Sequence, residues 1–176
     1  MKNLKDMFMG FRNITVLLLL LSLPASVSAS ETATSAAACE LIERVIPQQA
    51  NHFVVETIPA DHGHDVFEIE SRDGKIVLRG DNGVAIASAL NWYLKYDCHC
   101  QISWCGDNLD LPNPPPVVNE KVRRVTSCEH RVYLNYCTFS YTMAWWDWAR
   151  WQREIDWMAL HGINMPLAVT GQEAVW

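Results

Sequence analysis

The run RVYLNYCTFSYTMAWWDWARWQREIDWMALHGINMPLAVTGQEAVW, from Arg131 to Trp176, constrains the fold most, because six of the eight tryptophans crowd into it. It opens with a β-rich stretch, Arg131 to Tyr136. The spacing then predicts a helix over Ala144 to Leu160. Trp148, Trp151, Ile155, Met158 and Gly162 step by three and four onto one apolar face, and Asp147, Arg150, Arg153, Glu154 and Asp156 fall mostly off it. Gly162 suits the left-handed residue that closes a helix. Ile163 to Val169 reads as a second strand, with Pro166 its least suitable member, and Thr170 to Glu173 as the loop beyond. A strand, a helix and a parallel strand make a right-handed βαβ unit. Two such strands cannot cover their own edges. The run therefore reads as the opening of a larger barrel, cut short at Trp176.

The N-terminus is a separate matter. Lys2, Lys5 and Arg12 precede an apolar core from Ile14 to Leu23, Pro24 breaks it, and Val27-Ser28-Ala29 offers small residues for cleavage. This is the pattern of a secretory signal over 1–29, shorter than the roughly 20 apolar residues of a spanning helix. The expectation is a secreted or periplasmic protein with no membrane association after cleavage. All six cysteines lie in the mature part, where an oxidising compartment permits disulfides without specifying pairs. A net charge of -6 argues against a nucleic acid or an anionic membrane surface as partner.

Residues 30–38, rich in Ser, Thr and Ala, are expected to form a flexible leader. A small α/β domain is expected over 39–111. It comprises a short helix before Pro47, a strand from Phe53 to Ile58, a hairpin of Val66–Glu70 and Ile76–Arg79 around Arg72-Asp73-Gly74-Lys75, and a helix with Val84, Ile86, Ala87, Leu90, Tyr93 and Leu94 on its buried face. The Pro-rich stretch 112–116 reads as a semi-rigid linker and domain boundary. Residues 117–176 are then the start of the barrel. The fold class is α/β: a small N-terminal α/β domain followed by the first βαβ unit of a truncated (β/α)8 barrel.

Barrel chemistry sits at the C-terminal ends of the strands, here Asn135 to Cys137 and Val169 to Glu173. An Asn amide can hydrogen-bond sugar hydroxyls or an acetamido group, and a Cys can narrow a pocket; taken alone, both residues read better as simply buried and satisfied. Glu173 has the chemistry of a general acid, but glycoside hydrolysis needs a pair of carboxylates and the chain offers no second member at a strand end. Glu173 is kept as a binding or supporting residue. The clustered tryptophans can stack on sugars, but their helical spacing favours packing. Cys98-His99-Cys100 with Cys105 has the donor types of a zinc site without paired CxxC spacing or a second His, so a disulfide or buried thiols fit better and no metal is assigned. No GxGxxG, Walker, HExxH or GxSxG motif occurs.

The segments Asn135-Tyr136-Cys137-Thr138, Ser140-Tyr141, Trp145 to Trp151, Arg153 to Leu160, Gly162-Ile163-Asn164 and Gly171 to Trp176 resemble the alpha-N-acetylglucosaminidase family, glycoside hydrolase family 89. Asp73-Gly74-Lys75 through Tyr93-Leu94 is similar to the small domain before the barrel, more loosely. The resemblance implies a retaining exo-enzyme acting on glycans with terminal non-reducing alpha-linked N-acetylglucosamine, with no cofactor. It implies that Asn135 and Cys137 line the sugar pocket. It assigns both catalytic glutamates to later barrel strands, so this stretch of chain contains none and is expected to be inactive by itself. The alternative is a stand-alone glycan-binding or interaction module.

Overall fold

The computed structural model describes residues 29–133, 137 and 141–167. The chain divides into two compact units, Met1–Thr32 and Ala33–Trp176, and the architecture below belongs to the second. Helix α1 spans Ala29–Val45. The expected flexible leader over 30–38 is thus helical, as an alanine-rich run favours. Ala38, Leu41 and Ile42 bury its inner side.

Strand β1 (Phe53–Thr57) is followed by the hairpin of β2 (Val66–Arg72) and β3 (Lys75–Gly80). Asp73 and Gly74 turn it with φ of 52° and 73°, the two positive values a type I′ turn requires. β1 joins β3 in parallel, pairing Val55 with Leu78, while β2 runs antiparallel to β3, pairing Ile69 with Leu78. Ile69, Ile76 and Leu78 form the buried face, covered by helix α2 (Gly83–Tyr96) through Ile86, Leu90, Tyr93 and Leu94. Asn82 caps that helix, its side-chain oxygen accepting from the Ala85 amide at 3.0 Å. Gly80 lets the sheet and helix approach closely, since a Cβ there would lie 2.7 Å from the Ile86 nitrogen. A small hairpin, β4 (Gln101–Ile102) with β5 (Asp107–Asn108), projects beyond α2.

The join with the barrel unit lies later than the Pro-rich stretch. Val118 is buried in the first core, and its amide donates to Ser71 Oγ at 2.8 Å. The Tyr93 hydroxyl donates to the Pro116 carbonyl at 2.6 Å. Strand β6 (Val122–Val125) pairs with β2 as the edge of the sheet, giving the order β1-β3-β2-β6. Residues 112–125, read from sequence as linker and barrel start, therefore complete the N-terminal domain. An edge strand supplied 50 residues after its partner leaves no local signal.

Strand β7 (Val132–Tyr133), helix α3 (Trp148–Leu160) and strand β8 (Met165–Pro166) follow, and β7 and β8 are parallel. The Met165 amide donates to Arg131 O and the Leu167 amide to Tyr133 O, so the N–H that Pro166 lacks belongs to the side of β8 away from β7. Asp147 caps α3 through the Arg150 amide at 2.9 Å. At the other end Gly162, with φ of 77°, and Ile163 donate to Ala159 O and Met158 O, a Schellman closure.

The buried side of α3 differs from the expected one. Trp148 and Ile155 are 68% and 47% exposed, whereas Glu154, Asp156 and Leu160 are buried. Trp157 and Leu160, on the opposite side of a 3.6-residue helix, pack into the core of the N-terminal domain. The flanking charges are tolerated because each meets a partner: Asp156 pairs with Arg44 of α1, and Arg153 with Asp107 of β5. Apolar periodicity found a face, but these ion pairs selected its reverse.

Candidate functional site

The C-terminal end of β7 is held from beneath by one carboxylate. Tyr133 points toward α3, its ring 5.2 Å from that of Trp157. Its hydroxyl donates to Glu154 Oε1 at 2.9 Å. The same oxygen accepts from Trp104 Nε1 at 3.1 Å, and Oε2 accepts from Arg150 Nη1 at 2.9 Å. Glu154 is only 1% exposed, so the three donors replace the water it has lost. They come from the β4–β5 hairpin, from β7 and from the preceding turn of α3. Burial, with the Glu154 carboxylate beside it, pushes the Tyr133 hydroxyl up to about 12, so it stays a donor at neutral pH.

Aromatic rings continue this cluster. The Arg150 guanidinium lies 3.8 Å from the centre of the Trp146 ring, which packs edge-on to Trp151 at 5.0 Å and tilted to Trp104 at 6.4 Å. Trp145 and Trp148 stand 86% and 68% exposed, contrary to the packing role their spacing suggests. The sequence reading missed Trp104 and Glu154. The Arg150–Glu154 spacing of four is a visible helical pair, but nothing local marks a tryptophan 50 residues earlier as its third member.

Of the residues singled out from sequence, Asn135 and Glu173 lie outside the described residues. Cys137 is exposed, which corrects the reading of it as a buried thiol. Cys98 and Cys100 are buried and unbridged, and Cys105 is exposed. Burial pushes the Cys98 thiol up to about 11. Among the described residues no group of three or more His, Cys, Asp or Glu is placed to hold a metal ion. A cavity of about 350 Å³ between α1, the β4–β5 hairpin and α3 is lined by Arg44, Asp107, Arg153 and Asp156, whose charges are already paired with one another. It therefore offers little to a charged ligand.

Comparison with known proteins bears on both parts of the chain. Residues 36–117 match the "Alpha-N-acetylglucosaminidase (NAGLU) N-terminal domain", and residues 131–176 match the "Alpha-N-acetylglucosaminidase (NAGLU) tim-barrel domain". The chain belongs to the alpha-N-acetylglucosaminidase family. Human alpha-N-acetylglucosaminidase is 41% identical over 163 residues, which cover 90% of this chain and 22% of the human protein. A family 89 glycoside hydrolase from Clostridium perfringens, solved with 2-acetamido-1,2-dideoxynojirimycin, superposes with a TM-score of 0.81 at 38% identity, covering 86% of this chain and 17% of that one. The same values of TM-score, identity and coverage hold for a clostridial variant bound to its substrate, GlcNAc-alpha-1,4-galactose. The chain thus spans about a fifth of the relatives it matches. The join between the two family matches falls after residue 117, and β6 lies between them.

Proposed function

We propose that the protein is a retaining exo-alpha-N-acetylglucosaminidase that removes terminal non-reducing alpha-linked N-acetylglucosamine from glycans. This chain supplies its N-terminal α/β domain and the first βαβ unit of its (β/α)8 barrel. The observation that carries the reading is the likeness, in both domains, to human alpha-N-acetylglucosaminidase and to a family 89 glycoside hydrolase. The parallel pairing of β7 with β8 around α3 supports the barrel assignment. So does the exposure of Val132 and Met165, paired neighbours on the face that a closed barrel covers. A stand-alone glycan-binding module is the weaker reading, because it accounts for neither match to the catalytic family.

In this function Asn135 and Cys137 line the pocket for the N-acetylglucosaminyl group. They follow β7 in sequence, and substrates bind at the C-terminal ends of barrel strands. Retention requires two carboxyl groups about 5–5.5 Å apart, one as acid/base and one as nucleophile. Both are assigned to later barrel strands, so this chain contributes binding and support rather than the reacting carboxylates. The basic and apolar N-terminus fits export of the enzyme to the periplasm or medium.

The test is to express the full-length gene product and assay an aryl alpha-N-acetylglucosaminide, following the anomeric form released by NMR. Turnover with the alpha-anomer appearing first is expected. No turnover with any alpha-linked N-acetylglucosaminide overturns the proposal. Sequencing the N-terminus of the exported protein checks the cleavage after Ala29.

A further inference from the structure

We infer that the cavity between α1, the β4–β5 hairpin and α3 is a binding site for one neutral pyranose ring. Its lining is mixed. Val45, Ile102, Leu109 and Leu160 contribute apolar surface. Arg44 with Asp156, and Arg153 with Asp107, bring full charges, each pair closed at 2.8 Å. The pairs cancel, so a charged ligand finds no unbalanced partner and loses its hydration uncompensated. Hydrogen-bonding capacity nevertheless remains. Arg153 holds Asp107 through Nη2 and Oδ1, which leaves Arg153 Nη1 as a donor and Asp107 Oδ2 as an acceptor among the described residues. Gln152 lines the same cavity, and its amide both donates and accepts. Trp157 adds an independent sign. Its ring is packed by Tyr133 and His161, and its Nε1 is buried with no hydrogen-bond partner among the described residues. A buried N–H is costly to leave unpaired, so an acceptor belongs beside it. Trp157 lines the cavity, so a molecule held there can supply that acceptor.

The ligand class follows from this combination. Charge is balanced, donors stand beside acceptors, and apolar side chains adjoin them. A pyranose meets all three conditions: it is uncharged, each hydroxyl both donates and accepts, and its C–H faces are apolar. The volume of about 350 Å³ lies at the small end of ligand pockets, which suits one ring rather than an extended chain. In the complex a hydroxyl oxygen accepts from Trp157 Nε1, while neighbouring hydroxyls meet Gln152, Arg153 and Asp107. Such binding needs no reacting carboxylate, so it holds whether or not the full-length protein turns over a glycan. Ordered water is the competing occupant of a cavity with polar walls.

The experiment labels the full-length protein with 5-fluorotryptophan and follows Trp157 by fluorine NMR, its resonance assigned as the one lost in Trp157→Phe. Should that variant not fold, His161→Ala assigns it instead, by removing the ring stacked on Trp157 at 4.2 Å. Galactose and N-acetylglucosamine are the neutral probes, and glucuronate, which adds a carboxylate, is the charged one. The Trp157 resonance is expected to shift saturably with either neutral sugar, half-maximal at about 1–10 mM, the affinity of a ligand of about a dozen heavy atoms. Glucuronate is expected to bind about tenfold more weakly or not at all. Gln152→Leu keeps a good helix former of similar size but removes the amide, and should weaken neutral-sugar binding about tenfold. A Trp157 resonance unmoved at about 100 mM sugar means that the cavity holds water only, and overturns the proposal. A shift with the same midpoint in Gln152→Leu places the sugar elsewhere and also overturns it. Glucuronate binding as tightly as the neutral sugars overturns the ligand class.

Discussion

Arg44 and Asp156 meet as a two-pronged ion pair, with Arg44 Nε 2.8 Å from Asp156 Oδ2 and Nη2 2.8 Å from Oδ1. The pair joins the first helix of the N-terminal domain to the helix of the barrel unit, across 112 residues of sequence. Hydrogen bonding to Asp156 raises the Arg44 pKa further and keeps the cation firmly charged. Asp156 is 8% exposed, so removing Arg44 leaves a carboxylate with little water to turn to. Arg44→Ala is expected to destabilise the folded chain by about 2–3 kcal/mol in urea unfolding, below the 3–5 of a fully buried pair because Arg44 is partly exposed. A loss under about 0.5 kcal/mol would show that the pair is only a surface contact.

Gly80 is where sheet and helix come closest. A methyl group there meets the Ile86 backbone nitrogen at 2.7 Å and Ile86 Cγ1 at 2.8 Å, and the backbone nitrogen has no rotamer to escape into. Gly80→Ala should cost about 1–3 kcal/mol by overpacking. Gly83→Ala, with nothing within 4 Å of the added carbon, is the matched control. Equal midpoints for the two variants would refute the close-approach argument.

The open face of the sheet carries a charge network whose pH dependence has a definite sign. Hydrogen bonding from Arg72, with Arg79 beside it, lowers the Glu56 pKa, and hydrogen bonding from Arg79 lowers that of Glu70. Burial works to raise Glu68, but hydrogen bonds to Lys121 and Arg123 outweigh it and the net direction is down. Each of these carboxyls binds its proton more readily in the unfolded chain. Their contribution is therefore present above the ordinary carboxylate range and lost as pH falls through the depressed folded values. Tyr133 and Cys98 act at the other end. Their folded values are raised to about 12 and about 11, so their contribution is complete below pH 9 and fades as pH climbs toward those values. Urea midpoints should be flat from about pH 5 to 8 and fall on both sides. An unfolding midpoint that rises below pH 4 would contradict the network.

Asn135 gives the most direct check on the proposed sugar pocket. Asn135→Ala in the full-length protein is expected to reduce kcat/KM by about 10–100-fold, the scale of one or two hydrogen bonds to a bound sugar. On the proposed function the acetamido group is held throughout the reaction, so most of the loss should appear in KM. An unchanged kcat/KM removes Asn135 from the pocket.

Much of the small domain was legible in the sequence. Alternating Val66 to Glu70 and the Asp73-Gly74 turn are local signals, each expressed within a few residues, and the structure uses them as written. The helix ending at Gly162 and the parallel order of β7 and β8 were equally readable, because handed connections leave one simple arrangement. The resemblance carried by Asn135 to Thr138 and the tryptophan register led to the family, which composition and periodicity do not name.

Other features depended on groups distant in sequence. Strand β6 joined the sheet because it found an unpaired edge of β2. The orientation of α3 followed Arg44, Trp104 and Asp107 rather than its own apolar stripe. The sequence by itself determined most of the strands, turns and helices, since backbone preference and side-chain spacing act over one or two turns. Only the tertiary structure decided which side of α3 is buried and how Trp104 reaches Tyr133, because the desolvation of Glu154 and Asp156 is offset only when donors from other parts of the chain arrive together.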